Sequence, residues 1–246
     1  GITNVIDSDV TLTHYHWRND DGNETGATSL TGGLEDSPLL AIQQQTPTRL
    51  RLGVTNAGST TTPPTNLTLE YALNPSTCSA ASLWNEVGAS GADWELFDSI
   101  FITDGTDSTD ISIASGGVSN ENSVFFFFYN GLKDTSAQVT GVILDTNNWT
   151  ELEYALVAST SAIQGDEYCF RLTQDNAPFD TYAQYPRATV APDVLVSATG
   201  TQVAVTDIPT AEFNIGGTFV IAENVSARNV TSITLEEVGT VTADSA

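Results

Sequence analysis

Leu69-Glu-Tyr-Ala-Leu73 and Leu152-Glu-Tyr-Ala-Leu156 are the same five residues at two places in the chain. In a strand, successive side chains point to opposite faces. Both copies then put Leu, Tyr and Leu on one face and Glu and Ala on the other. The repeat predicts two equivalent strands turned toward one apolar core. Thr48-Arg-Leu-Arg-Leu-Gly-Val-Thr-Asn56 has the complementary layout, with leucines on one face and arginines on the other. A cross-strand ladder pairing Arg49 and Arg51 with Glu70 or Glu153 would suit the outer side of such a sheet.

The same pattern extends along the chain. Helical periodicity is nearly absent, and short alternating runs end at Gly, Pro, Asn, Asp and Ser, which is an all-β pattern. Expected strands cover 9–17, 48–55, 66–73, 94–102, 110–114, 123–129, 138–144, 150–158 and 167–173. Residues 28–47 read as an irregular or short helical piece. Tyr185-Pro-Arg-Ala-Thr-Val-Ala-Pro192 carries two prolines, which favour an extended linker. Four more short strands are expected after it, at 194–198, 203–205, 218–222 and 232–235. The expectation is an immunoglobulin/fibronectin-like β-sandwich over 9–188, preceded by an extended segment at 1–8. A smaller, incomplete β domain would follow at 189–246, completed by further chain or by another molecule.

Charge narrows the function classes. Thirty-one acids against seven bases give a formal net charge of -24. Clustered Lys and Arg are needed to hold phosphate, so nucleic acid and anionic membranes are disfavoured partners. The chain begins with Gly and contains no Met, which reads as a processed chain that has lost a secretory leader. In that setting Cys78 and Cys169 are expected to form one disulfide. Two buried free thiols are the alternative.

Ser123-Val-Phe-Phe-Phe-Phe-Tyr-Asn-Gly131 raises a separate question. As a strand it would turn Phe125, Phe127 and Tyr129 one way and Phe126 and Phe128 the other. Either both faces are buried, or a bulge turns the rings together, or the outer rings meet a neighbouring molecule. Exposed aromatic pairs on strands promote aggregation, so something is expected to cover them.

Chemistry-bearing motifs are sparse. HExxH, GxSxG, phosphate loops and a Cys–His pair outside the expected disulfide are missing from the sequence, and no residue is singled out as catalytic. His14 and His16, two apart on a strand, would share a face and with a nearby acid make a metal site. Two loops offer closely spaced oxygens for structural Ca²⁺: Asp20 and Asp21 in the first, Asp104, Asp107 and Asp110 in the second. The same residues also serve metal-free turns. Asn23, Asn66, Asn148, Asn224 and Asn229 head glycosylation sequons. The single lysine, Lys133, restricts any lysine-dependent cross-link, such as an isopeptide bond, to one position; its turn-like setting favours contact with solvent. Trp17, Trp84, Trp94 and Trp149 read as core or strand-edge residues, or as a sugar-stacking platform.

Tyr15-His-Trp-Arg-Asn-Asp-Asp-Gly-Asn-Glu24 resembles the opening of a β-sandwich module marked by "RWRNDDG" and repeated in large surface proteins of uncultivated bacteria. The resemblance continues through 48–56, 69–73, Cys78-Ser-Ala, Leu132-Lys-Asp-Thr-Ser, Thr150-Glu-Leu-Glu-Tyr and Tyr168-Cys-Phe-Arg-Leu, to Tyr185-Pro. It spans roughly residues 8–188 in the same order. The tail, with Ile215-Gly-Gly-Thr-Phe-Val-Ile, is similar to a second module that follows the first in such proteins. The resemblance implies secretion, a Cys78–Cys169 disulfide, an extended modular architecture and no enzymatic activity. The aromatic run at 125–129 and the early end of the tail depart from it.

Together these readings predict a non-enzymatic extracellular structural protein, a filament or surface-layer subunit whose partner is another copy of itself. Strand addition would use Gly1, Ile2, Val5 and Ile6, and Phe126 and Phe128 would add aromatic contacts. The alternative is an adhesin or carbohydrate-binding module that meets surface glycans.

Overall fold

The computed structural model describes residues 8–120, 125–192, 194–199 and 218–223. Its strands, in chain order, are β1 (Val10–Asn19), β2 (Leu39–Ile42), β3 (Thr48–Asn56), β4 (Thr65–Leu73), β5 (Asn85–Glu86), β6 (Trp94–Leu96), β7 (Phe125–Phe126), β8 (Leu132–Lys133), β9 (Gln138–Val142), β10 (Asn148–Ala158), β11 (Glu167–Gln174), β12 (Ala177–Pro178), β13 (Thr181–Tyr182), β14 (Arg187–Val190), β15 (Val194–Thr199) and β16 (Thr218–Glu223). Only two short 3₁₀ turns, Cys78–Ala80 and Ile113–Ser115, interrupt this all-β chain among the described residues.

The chain divides into two compact units at Pro192. The first contains two packed sheets. Sheet one runs β13-β1-β3-β10-β6, with β7 and β8 also paired to β10; sheet two runs β2-β14-β11-β4-β5, with β12 on β11 and β9 on β4. The long central strands pair antiparallel. Parallel pairing is found where the short strands β13, β7, β8 and β2 join. The second unit shows β15 and β16 paired antiparallel, Val194 opposite Glu223 and Thr199 opposite Thr218. Gly1, Ile2, Val5, Ile6, Asn224, Asn229 and the strands expected at 203–205 and 232–235 lie outside the described residues.

The repeated pentapeptide does face one core, from opposite sides, except that Leu73, the last residue of the first copy, is exposed where its counterpart Leu156 is buried. Leu69 and Tyr71 enter it from sheet two and Leu152, Tyr154 and Leu156 from sheet one. Leu50, Leu52 and Val54 of β3 join Leu12, Tyr15 and Trp17 of β1, and Tyr168, Phe170 and Leu172 of β11 oppose them. At the centre, the Phe170 ring meets Trp94 at 4.9 Å and Trp17 at 5.4 Å, both edge-on. Trp17, Trp94 and Trp149 are buried, so three of the four tryptophans serve packing.

Several boundaries differ from expectation. Arg187–Val190 is a strand on β11 and β2, so the first unit continues past residue 188 despite its flanking prolines. Pro186 and Pro192 both lie outside that strand, where no ladder hydrogen bond is lost. Residues 28–47 contain β2 rather than helix. The strands expected at 94–102 and 110–114 shrink to Trp94–Leu96 and a 3₁₀ turn. The intervening chain instead lies over the outer face of sheet one. No helix among the described residues is long and apolar enough to cross a membrane.

Candidate functional site: a sealed charge ladder and an open aromatic rim

The outer face of sheet one carries charges. Arg49 stands opposite Arg18 and Arg51 opposite His16, while Glu153 stands opposite Arg51 on the other neighbour. Two arginines directly opposite would repel. Glu153 resolves this by reaching all three: 2.6 Å to Arg18, 3.4 Å to Arg49 and 2.5 Å to Arg51. Arg51 also bonds Glu151. All five side chains are fully buried.

Burial comes from the segment between β6 and β7. Arg51 donates to the Thr109 carbonyl and Arg18 to the Ser115 carbonyl at 3.2 Å. His16 Nδ1 donates to the Gly117 carbonyl at 2.9 Å. Gly116 has φ +83°, and a Cβ there would lie 2.7 Å from Arg18 Nε. A side chain would therefore push the cover off the arginine.

The acids of Asn19-Asp-Asp-Gly-Asn-Glu24 close the same network. Asp20 Oδ1 accepts from Arg49 Nε at 2.6 Å and from the Ser99 hydroxyl at 2.7 Å. Glu24 accepts from Arg51 at 3.0 Å and from the Thr109 N–H at 2.7 Å. Asp21 turns to Thr28, accepting its N–H at 2.8 Å and its hydroxyl at 2.5 Å. The first expected calcium loop is thus spent on arginines and turn hydrogen bonds. In the second, Asp104 bonds Lys133 and two backbone N–H groups, while Asp107 and Asp110 are exposed. Neither loop gathers its carboxylates around one point among the described residues.

The carboxyls inside the ladder differ. Burial works to raise Glu153, but Arg51, Arg18 and Arg49 outweigh it and hold the group below the usual carboxylate range. Glu151 is pushed up to about 7, chiefly by burial, against the pull of Arg51. Its Oε1 has no hydrogen-bond partner among the described residues, which leaves a place for the proton.

The donor cluster that forms is His14, Glu35 and Asp36, whose atoms lie within 4.8 Å of one another. His14 Nδ1 is 2.5 Å from Asp36 Oδ2 and 3.9 Å from Glu35 Oε2. A register shift between Leu12 and Tyr15 marks a bulge here. His16 does not join the cluster. Its Nε2 meets the Ser29 hydroxyl at 2.8 Å, and burial lowers its pKa. One nitrogen with two carboxylates suits a zinc-type ion better than calcium. Those carboxylates already accept from the Tyr15 N–H and from Ser119.

Lys133 is buried, against the expectation of solvent contact, with Nζ 2.8 Å from Asp104. Its turn-like sequence is in fact a short strand beside β10. Among the sequons, Asn23 is exposed, Asn66 half-buried and Asn148 buried in β10. Burial removes Asn148 from the accessible acceptors.

The aromatic run keeps strand alternation beyond its two-residue strand. Phe127 and Tyr129 pack against the core. Phe126 meets Trp149 at 5.0 Å and Phe128 at 5.2 Å. Phe128 is 58% exposed, so the outer rings form an open rim beside β10.

Sheet two is different outside. Cys78 and Cys169 form a disulfide. Arg171 bonds Glu70 at 2.7 Å and sits 4.2 Å from the Trp84 ring centre. A chain of stacked rings runs from the buried core residue Phe179, through Tyr182 on β13 of sheet one, to the half-buried Tyr185 and Trp84. Of the ring chain only Trp84 was singled out from sequence; of the ladder, the Arg49/Arg51 row with Glu153 was one of two expected pairings, while Arg18, Glu151 and the seal over them were not expected. The chain matches no protein-family model and no curated protein.

Proposed function

We propose that this chain is a non-enzymatic structural module of an extracellular surface protein or filament, associating with copies of itself through the aromatic rim. The observation that carries the reading is the Phe126–Phe128 pair on Trp149, with Phe128 open at the side of sheet one. Exposed rings on a sheet margin favour contact with a second surface. The buried ladder adds support, because the motif acids Asp20 and Glu24 bind arginines of the same chain. They are spent on rigidity rather than left for substrate. A disulfide is compatible with secretion, and the resemblance to the "RWRNDDG" surface module points the same way. Strand donation by residues 1–6 belongs to the proposal as a second contact.

Sedimentation and electron microscopy over a range of concentrations test this. The expected result is concentration-dependent polymers, weakened by Phe128→Ser and by removal of residues 1–6. A monomer at every concentration would contradict self-association. Polymers unaffected by Phe128→Ser would contradict the rim as the contact.

A second reading, an adhesin or carbohydrate-binding module, is favoured by the half-buried Trp84 and Tyr185 rings, stacked beside Arg171 of sheet two. It predicts a tryptophan fluorescence shift with glycans that Trp84→Ala abolishes. Arg171 and Tyr185 already contact the Trp84 ring, which limits the aromatic face left for a sugar.

A further inference from the structure

The sequence contains one lysine, and it is 6% exposed. Lys133 Nζ lies 2.8 Å from Asp104 Oδ2. The other oxygen of Asp104, Oδ1, accepts N–H bonds from Asp134 and Thr135, each at 3.2 Å. The segment bearing Asp104 is fixed beside β8 by Gly105 N–H to the Leu132 carbonyl at 2.8 Å and Leu132 N–H to the Thr106 carbonyl at 3.1 Å. Asp134 is 4% exposed, and its Oδ1 has no hydrogen-bond partner among the described residues.

An ordinary ion pair explains the first contact. It does not explain the next residue in the chain, Asp134, a buried acid whose backbone N–H donates to Asp104 while its Oδ1 has no partner among the described residues. We propose that Lys133 and Asp104 condense into an intramolecular amide, an isopeptide cross-link made by the protein itself, with Asp134 as the neighbouring proton carrier.

The parts match those of acyl transfer. The amine is held against the carboxyl, which replaces a bimolecular encounter by a positioned one. Burial works to raise the Asp104 carboxyl, but the Lys133 bond and the two backbone N–H bonds outweigh it and hold the group below its ordinary range. The step therefore begins uphill: one proton passes from Nζ to Oδ2, turning the ion pair into amine and acid. The Nζ lone pair then attacks Cγ. Negative charge develops on Oδ1, where the two backbone N–H groups already point. The Cγ–Oδ2 bond breaks and Oδ2 leaves as water. Of the three protons on the ammonium, one stays on the amide and two leave with that water, so no oxidant or co-reactant is needed. Burial, with repulsion from Asp104 and Asp98, raises the Asp134 carboxyl above its ordinary range, which suits a group that carries the second proton. The product ties the cover of sheet one to β8 across 29 residues of sequence.

Intact mass spectrometry of the folded, non-reduced chain tests the bond. The expected mass is one water below that of the disulfide-bonded sequence, and fragmentation joins the peptides bearing Asp104 and Lys133. Lys133→Arg and Asp104→Ala restore the full mass. Asp104→Asn loses ammonia in place of water, and Asp134→Asn slows or stops the loss. Circular dichroism of each variant separates failure to fold from failure to react. A succinimide at Asp104-Gly105 would lose the same water without joining the peptides. Water loss that persists in Lys133→Arg, or a folded wild-type chain at full mass, would overturn the proposal.

Discussion

Glu70 and Glu153 occupy the same position in identical pentapeptides, and the fold treats them in opposite ways. Glu70 lies on the outer face of sheet two, half-buried, with Arg171 as its partner. Glu153 lies on the outer face of sheet one, fully buried, with Arg18, Arg49 and Arg51 around it. The inward residues behave alike, since Leu69, Tyr71, Leu152 and Tyr154 share one core. The difference lies in what covers the outside. A long segment seals sheet one, whereas sheet two relies on a disulfide and a few half-exposed rings and charges. Identical local sequence thus fixes the strand and its inward face, while remote chain decides what its charge is worth.

Four variants sharpen this contrast. Glu153→Ala has the largest expected effect. It leaves three buried guanidinium groups without their shared partner, at a cost of about 3–5 kcal/mol in urea unfolding. A cost under about 1 kcal/mol would mean that water reaches the ladder. Removing the disulfide by Cys78→Ala with Cys169→Ala follows, costing about 2–5 kcal/mol. In thermal unfolding this should destabilise the whole first unit.

Third comes Glu151→Gln. The folded pKa of Glu151 is raised from 4.5 to about 7. The native state therefore holds a proton that the unfolded chain has lost in that window. Its stabilising contribution is full below the unfolded value and disappears as pH rises through about 7. Wild-type stability should fall relative to Glu151→Gln between roughly pH 5 and pH 8. Glu153, with a depressed pKa, acts in the other direction, losing its contribution as acid protonates it. A difference that stays flat across the window would show that Glu151 is ionised throughout. The smallest effect belongs to Glu70→Ala, a partly solvated pair worth about 1 kcal/mol or less.

The strands that were legible in sequence are the long ones with clean alternation, β1, β3, β4, β10 and β11. Leu50 and Leu52, and the two Leu-Glu-Tyr-Ala-Leu copies, announced their faces and their shared core, except at Leu73, which ends its strand exposed. Arg49 and Arg51 announced an outer charged row, and Glu153 was one of two expected partners. The cover was illegible because it binds through the carbonyls of Thr109, Ser115 and Gly117, which every residue possesses. For the same reason Asp20 and Glu24 read as calcium ligands. Their side chains advertise oxygens without saying whether a cation or an arginine will meet them. The two-residue strands β5, β7, β8, β12 and β13 are too short to show a period. The buried setting of Lys133 depends on one of them. The bulge before Tyr15 separates His14 from His16, and no residue type in that stretch demands a bulge.

The contrast between the two sheets can be tested most directly by native-state hydrogen exchange. Backbone N–H groups in the cover, including Ser108 and Thr109, should exchange nearly as slowly as those of the long strands. Glu153→Ala should speed exchange in the cover far more than in β4 and β11. Fast exchange of the cover in the wild-type protein would contradict the account, because a charge ladder open to water cannot be what seals sheet one.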